Sequence, residues 1–92
     1  MYNISQYSYK QAKKLNVIIK PSRLKNKKID VYSKDGCKLA SIGDKRYYDY
    51  STYLLIYGKQ YADQRRRLYK LRHIKDRNKK GSAGFYADQI LW

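Results

Sequence analysis

The stretch "KIDVYSKDGCKLASIGD", Lys28 to Asp44, carries the clearest local pattern of the chain. Apolar Ile29 and Val31 alternate with polar neighbours, and the run "KLASI" alternates in the same way after the turn residues "KDG". Gly36 can adopt a positive φ without steric cost, as a tight turn requires. Alternating runs on both sides of an Asp-Gly turn are typical of a β-hairpin. The sequence therefore predicts a hairpin over about residues 28–43.

Segments outside the hairpin carry helix signals. An apolar stripe with a C-capping Asn16 indicates a first helix. Asp49 or Ser51 can cap a second helix, which Gly58 separates from a third, and Ser82 can cap a fourth. The predicted helices span about residues 5–16, 50–57, 59–77 and 83–91. With 92 residues, the chain is expected to form one small α+β domain in which the hairpin packs with short helices.

The segment before the hairpin is strongly basic. Eight Lys or Arg residues and no acidic residue lie between Met1 and Lys28. Its β-branched run "VII" indicates an extended piece that Pro21 ends, and residues 22–28 resemble a loop. We therefore expect residues 1–27 to form a basic N-terminal helix and arm, and residues 28–92 to form the compact hairpin-plus-helices domain. The arm would lie extended along neighbouring subunits and become ordered on assembly.

Composition points to an anionic partner. The formal net charge is +15, from 22 Lys and Arg against 7 acidic residues, all of them Asp. Such an excess repels itself unless nucleic acid, an acidic protein surface or anionic lipid lies nearby. Twelve of the fourteen aromatic residues are Tyr, a residue common at protein interfaces. In so small a domain, these rings cannot all belong to the core.

The chain shows no pattern of catalytic residues. One Cys and one His cannot build a disulfide within the chain or a typical zinc site, so no metal or cofactor is expected. "GSAG", residues 81–84, lacks the Lys-Ser/Thr end of a phosphate-binding loop. The start has no apolar signal core, and the runs "VII" and "YLLIY" are too short to cross a membrane. The sequence favours a protein that is not an enzyme.

The helix with three consecutive arginines, "YADQRRRLYKLRH", residues 61–73, predicts two kinds of basic residue. On a wheel of roughly 100° per residue, Tyr61, Leu68 and Leu71 form one side, which we expect to pack on the domain. Arg65 and Arg72 fall within this apolar arc, where an unpaired guanidinium would be costly. We therefore predict that they act as internal structural clamps, paired with Asp44, Asp49 or Asp76 and stacked on Tyr rings, while Trp92 returns to the core.

The remaining basic residues are candidate contacts. Nine of the sixteen residues from 65 to 80 are basic, so the face as a whole suggests a partner-binding surface, while an ordinary solvated helix face is the alternative for each single residue. Exposed Tyr rings would add aromatic anchors. The predicted partner-binding residues are Arg66, Arg67, Lys70, Arg77, Lys79, Lys80, Tyr47, Tyr48, Tyr53 and Tyr57.

The elements "SIGDKRYYDYSTYL", "RRRLYKLRHIKDRN" and "GSAGFYADQILW" resemble a family of small basic proteins encoded by large nucleocytoplasmic DNA viruses with icosahedral capsids. The resemblance covers about residues 28–92. It rests on Gly43, Tyr48, Asp49, Tyr50, Arg66, Tyr69, Arg72, His73, Ala83, Gly84, Phe85, Leu91 and Trp92. Some members of the family continue past the Leu-Trp pair, at which this sequence stops.

The resemblance implies a structural virion protein, found in the virion and in the host cytoplasm during assembly. Its expected role is a minor capsid component, a cement or adaptor that contacts the major and other minor capsid proteins. The alternative is a nucleic-acid-binding protein without sequence specificity, which would use the basic face in genome packaging. Contact with a membrane ranks last, because no apolar anchor accompanies the charge.

Overall fold

The predicted hairpin forms the centre of a small antiparallel sheet. In the computed structural model, which describes residues 2–92, β1 (Ile18–Pro21), β2 (Lys27–Tyr32) and β3 (Lys38–Asp44) lie in the order β1-β2-β3. The hairpin is thus confirmed as β2 and β3. Gly36, in the turn between them, has a φ of 95°, the conformation for which Gly is suited.

One face of the sheet supplies the apolar core. Register places Ile29 opposite Ile42, and Val31 between Ile19 and Ala40, so these side chains share a face. Ile29 and Val31 have no exposed surface. On β3 the buried side therefore carries Ala40 and Ile42, whereas Leu39 points away from this core and is exposed.

The opposite face of β2 buries a carboxylate. Asp30 is buried and accepts hydrogen bonds from the hydroxyls of Ser22 and Ser41, both at 2.7 Å. Burial alone would raise the pKa of Asp30, but these bonds and the ammonium of Lys38 at 3.7 Å hold that pKa below its ordinary value. The carboxylate stays ionised and joins β2 to the residues on both sides of it.

Four short helices complete the fold, and each begins close to its predicted start. They are α1 (Gln6–Lys14), α2 (Tyr50–Tyr57), α3 (Lys59–Arg72) and α4 (Ala83–Leu91). The side chains of Ser5, Asp49 and Ser82 cap α1, α2 and α4. α4 packs on β3 and α1 packs on α4 and β1, whereas α2 and α3 pack mainly on each other. The protein is a small compact α+β domain with a three-stranded antiparallel sheet and four short helices.

The third helix is shorter than predicted. It ends at Arg72, and residues 73–82 form a series of turns. The prediction to residue 77 fails because a helix over these polar residues would bury almost nothing, and packing supplies most helical stability in proteins. The turns instead bring Asp76 against the first turn of α4. A Cβ on Gly84 would lie 2.7 Å from the Cβ of Asp76, so this approach requires glycine.

The N-terminal segment lies against the rest of the chain and not as an extended arm. β1 pairs with β2 along its whole length, which the sequence indicated only as an extended piece. The hydroxyl of Ser8 donates to the carbonyl of Ile90 at 2.8 Å, and the amide of Gln11 donates to that of Gln89 at 2.9 Å. These bonds satisfy carbonyls at the end of α4 that have no partner within the helix.

Candidate interaction site on the helical pair

A buried ion pair fixes the start of α2. Asp49 is 1% exposed, and its carboxylate caps the helix through the backbone N–H of Thr52 at 3.0 Å. The carboxylate also accepts hydrogen bonds from the ammonium of Lys28 at 3.2 Å and from the hydroxyl of Tyr2. Burial would raise the pKa of Asp49, but these donors lower it overall. Asp49 therefore holds the start of α2 through Lys28, and not through Arg65 or Arg72 as predicted.

The three consecutive arginines take three different environments. The guanidinium of Arg66 lies 3.5 Å from the ring centre of Tyr50 and within 5.9 Å of that of Tyr7. Arg65 lies 5.4 Å from the ring centre of Tyr53, and Arg67 is exposed. Arg66 was predicted to contact a partner, but the structure places it inward against two rings.

The inward position of Arg66 follows from the rotation of α3. Fully buried Ala62, and not the Tyr61–Leu68–Leu71 stripe, marks the packed side of the helix. Leu68 and Leu71 are 42% and 59% exposed, so the predicted packing side is wrong. Polar and aromatic groups on the other side of α3 hold it to the domain instead.

The carboxylates that were predicted to pair with Arg65 and Arg72 contact other residues instead. Within residues 2–92 neither guanidinium forms an ion pair, because Asp49 binds Lys28, Asp44 binds Arg46 at 2.8 Å, and Asp76 lies near His73. Arg72 is exposed and needs no internal partner, while the ring of Tyr53 faces Arg65. The Nε atom of Arg65 is buried without a hydrogen-bond acceptor.

Lys70 joins α3 to α4. Its ammonium donates to the buried carboxylate of Asp88 at 2.8 Å, and the amide of Gln89 donates to the same carboxylate at 3.0 Å. Lys70 was predicted to face a partner, but this bond directs it to the domain. Sequence reasoning missed Asp88, although an acid among the apolar residues of "FYADQILW" was a signal that could have found it.

Trp92 belongs to an aromatic cluster that it forms with rings from α2 and α3. Its ring stacks on that of Tyr69 with 4.4 Å between centres, and Tyr69 stacks on His73 at 4.3 Å. Tyr53 lies 6.1 Å from Trp92. Burial and the nearby Asp88 carboxylate raise the pKa of the Tyr69 hydroxyl to about 12. Trp92 is buried, as predicted, and ties α3 to the end of α4.

The outer sides of α2 and α3 expose many apolar side chains. α2 carries apolar residues on every side, yet only Tyr50 is buried, and Leu55 is 87% exposed. The exposed members, which we call the outer apolar surface, are Leu54, Leu55, Ile56, Tyr57, Tyr61, Leu68 and Leu71. Sequence reasoning missed the leucines, although "TYLLIY" signals them, since a surface helix that is apolar all round must leave one side uncovered.

The other predicted contacts lie around this surface and beyond it. Tyr47 and Tyr48 are exposed next to the start of α2, Tyr53 is half-buried, and Tyr57 belongs to the outer apolar surface. Lys79 and Lys80 are exposed in the turns that follow α3, where Arg77 is half-buried. The structure therefore gathers the predicted tyrosines near α2 and leaves the lysines in a separate segment.

A cleft of about 410 Å³ opens between the helical pair, which is α2 and α3, and the sheet. Aromatic rings form much of its wall, and Arg65, Arg72 and His73 line it on the α3 side. Seven of the thirteen residues that carry the family resemblance line this cleft: Gly43, Tyr48, Tyr69, Arg72, His73, Leu91 and Trp92.

Comparisons of the chain with models of protein families, with curated proteins and with solved structures find no match. From Tyr2 onward, no helix is long and apolar enough to cross a membrane. The same residues bring together no group of three or more His, Cys or acidic side chains that could hold a metal ion. The family resemblance stays a prediction.

Proposed function

We propose that the protein is a structural binding protein, and that it docks onto larger proteins through the outer apolar surface of α2 and α3. The exposure of this surface is the observation that carries the proposal. Soluble monomers seldom leave clustered apolar side chains in water, and such surfaces often mark protein contacts. Two adjoining helices contribute to it, and rigid Tyr rings stand among the aliphatic side chains.

The charge around this surface indicates the chemistry of the partner. Arg67 on α3 and Lys75 in the turns that follow it are exposed, and within residues 2–92 neither pairs with an acid. Basic groups at the rim favour a partner whose apolar groove is edged by Asp and Glu, because complementary charge speeds association and fixes orientation. The partner is therefore an acidic protein surface with an apolar groove.

The resemblance to small basic viral proteins supplies the setting for this partner. On this proposal the chain is a minor capsid component, a cement or adaptor, that contacts major and other minor capsid proteins of a large icosahedral DNA virus. It would reside in the virion and in the host cytoplasm during assembly. A cement protein works by contacts, with aromatic anchors in the centre of each interface, and needs no catalytic residues.

Retention in capsid shells tests the proposal. Wild-type chain should stay in DNA-free shells after washing at high salt, because salt weakens charge contacts and leaves apolar contacts intact. Two leucines buried at an interface contribute about 3 kcal/mol, so Leu55→Ser with Leu71→Ser should weaken retention roughly 100-fold. Leu24→Ser is the matched control, since Leu24 is exposed in the loop between β1 and β2 and belongs to neither helix. Equal loss with the control, or release of wild type by salt alone, contradicts docking through this surface.

A second candidate function rests on the turns after α3. Lys75, Lys79 and Lys80 are exposed there, and none pairs with an acid among the described residues. They favour non-specific binding of nucleic acid during genome packaging. That function predicts steep salt dependence of binding to arbitrary duplex DNA, and loss of binding when the three lysines become Ala, without any effect of the leucine changes.

A further inference from the structure

We propose that the cleft between the helical pair and the sheet binds a nucleotide, with its base on aromatic rings and its phosphate on two arginines. The ligand is a nucleoside monophosphate unit, either free or as an unpaired residue of a single strand. This proposal does not rest on capsid docking, and it goes beyond contact of surface lysines with a nucleic-acid backbone.

The size and walls of the cleft fit such a ligand. Its volume of about 410 Å³ lies within the range of small-molecule sites, roughly 300–1,000 Å³. Tyr47, Tyr48, Tyr53 and Trp92 all line it. Tyr47 and Tyr48 are exposed, and a ligand can reach the parts of their rings that Arg46 and Tyr53 leave uncovered. Aromatic rings stack with any base, since every base has a π face.

Two guanidinium groups in the cleft lack an anion. Arg65 and Arg72 line the cleft, and no carboxylate between residues 2 and 92 pairs with either. The Nε–H of Arg65 is buried without an acceptor. A planar guanidinium binds phosphate through two parallel hydrogen bonds. The spacing of these residues on α3, seven positions apart, places both on one side of the helix.

The other charged residues of the cleft do not supply this anion. Lys28 is already paired with Asp49, and Asp44 is paired with Arg46. The cleft therefore carries an unbalanced positive charge between apolar rings, an arrangement that concentrates the electrostatic field on a bound anion. A nucleotide combines the flat ring and the anionic phosphate that these two features require.

Fluorescence of Trp92, the single tryptophan, gives a direct readout because the residue lines the cleft. The probes are thymidine monophosphate, an oligothymidylate, and a duplex of the same length, at about 150 mM salt, which suppresses non-specific charge contacts. We expect saturable quenching by the oligothymidylate and weaker binding of the duplex, whose bases are not free to stack. Quenching by the monophosphate alone identifies a free nucleotide as ligand, and quenching by the strand only identifies a single-stranded nucleic acid.

Matched variants separate the cleft from general attraction. Arg72→Gln and Arg23→Gln each remove one exposed positive charge, but only Arg72 lines the cleft. Arg72→Gln should weaken binding about tenfold or more, the scale of a lost bidentate contact, and Tyr48→Leu should also reduce quenching. Arg23→Gln should change affinity less than about threefold, as a distant charge does at this salt.

Three results would overturn the proposal. The first is an equal effect of Arg72→Gln and Arg23→Gln, and the second is a duplex that binds as tightly as the single strand. The third is a cleft that does not bind the nucleotides but binds an acidic peptide with Phe or Trp, in a way that Arg72→Gln weakens. That result would make the cleft a peptide site. None of these results depends on Leu55 or Leu71, so failure of this proposal and failure of capsid docking can be told apart.

Discussion

Replacing Asp49 by Ala should cause a large loss of stability. The carboxylate of Asp49 is buried, caps α2 and is the acidic partner of the buried ammonium of Lys28 at 3.2 Å. Without it, the buried ammonium of Lys28 has no other ion-pair partner within residues 2–92, and the hydroxyl of Tyr2 loses its acceptor.

The magnitude follows from these contacts. Breaking one side of a buried ion pair costs about 3–5 kcal/mol, and loss of a helix cap costs about 1 kcal/mol. The two terms overlap, so we expect a loss of about 4 kcal/mol in the free energy of unfolding. Domains of this length have a total of roughly 5–14 kcal/mol. Asp49→Asn keeps an acceptor for the cap and should cost about 1 kcal/mol less than Asp49→Ala.

A double-mutant cycle measures the pair itself. Urea unfolding at pH 7, followed by the fluorescence of Trp92, gives the free energy of unfolding of wild type, Asp49→Asn, Lys28→Met and the double variant. Lys28→Met removes the charge and retains the packing of the stem. The double variant should be more stable than the sum of the single effects predicts, by about 2 kcal/mol. A coupling near zero, or a cost below about 1 kcal/mol for Asp49→Ala, would refute a buried pair at this site.

Three further outcomes follow from the structure. The folded pKa of Asp49 lies below its ordinary value of 3.8. The stability that Asp49 contributes is therefore complete above that pH and is lost as the pH falls further. Below that pH, the free energy of unfolding should fall less steeply with decreasing pH for Asp49→Asn than for the wild type. Gly43→Ala should cost about 1–3 kcal/mol more than Gly36→Ala in urea unfolding, because both glycines have positive φ but only at Gly43 would a Cβ meet a side chain, Leu91 at 2.8 Å. Lys70→Met should lower the free energy of unfolding by about 1–3 kcal/mol, because the buried carboxylate of Asp88 then keeps a weaker set of donors. An unchanged midpoint of thermal unfolding would show that the Lys70 bond does not stabilise the fold.

Local signals were sufficient for most of the fold. The Asp-Gly turn and the alternation around it predicted the hairpin, because turn geometry and alternation are properties of adjacent residues. Helix starts were also predictable from adjacent residues, at Asp49, Gly58 and Ser82. The end of α3 was not predictable in this way, since it depends on the return of Asp76 against Gly84, a contact between distant segments.

The side on which α3 packs also depends on distant contacts. Its apolar stripe, Leu68 and Leu71, gave the standard signal of a core-facing helix, yet it is exposed. Arg66 packs inward because two rings, Tyr7 and Tyr50, come from separate elements to cover its guanidinium. Periodicity identifies an apolar side of a helix, but it does not distinguish a core from an interface with another molecule.

A density map of the intact viral particle at side-chain resolution tests the central proposal most directly. The proposal predicts that the chain lies in the capsid shell, with Leu55, Leu68 and Leu71 covered by a capsid protein and acidic side chains next to Arg67. Absence of the chain from the shell, or a position in which this surface of α2 and α3 faces solvent or packed genome, would contradict it.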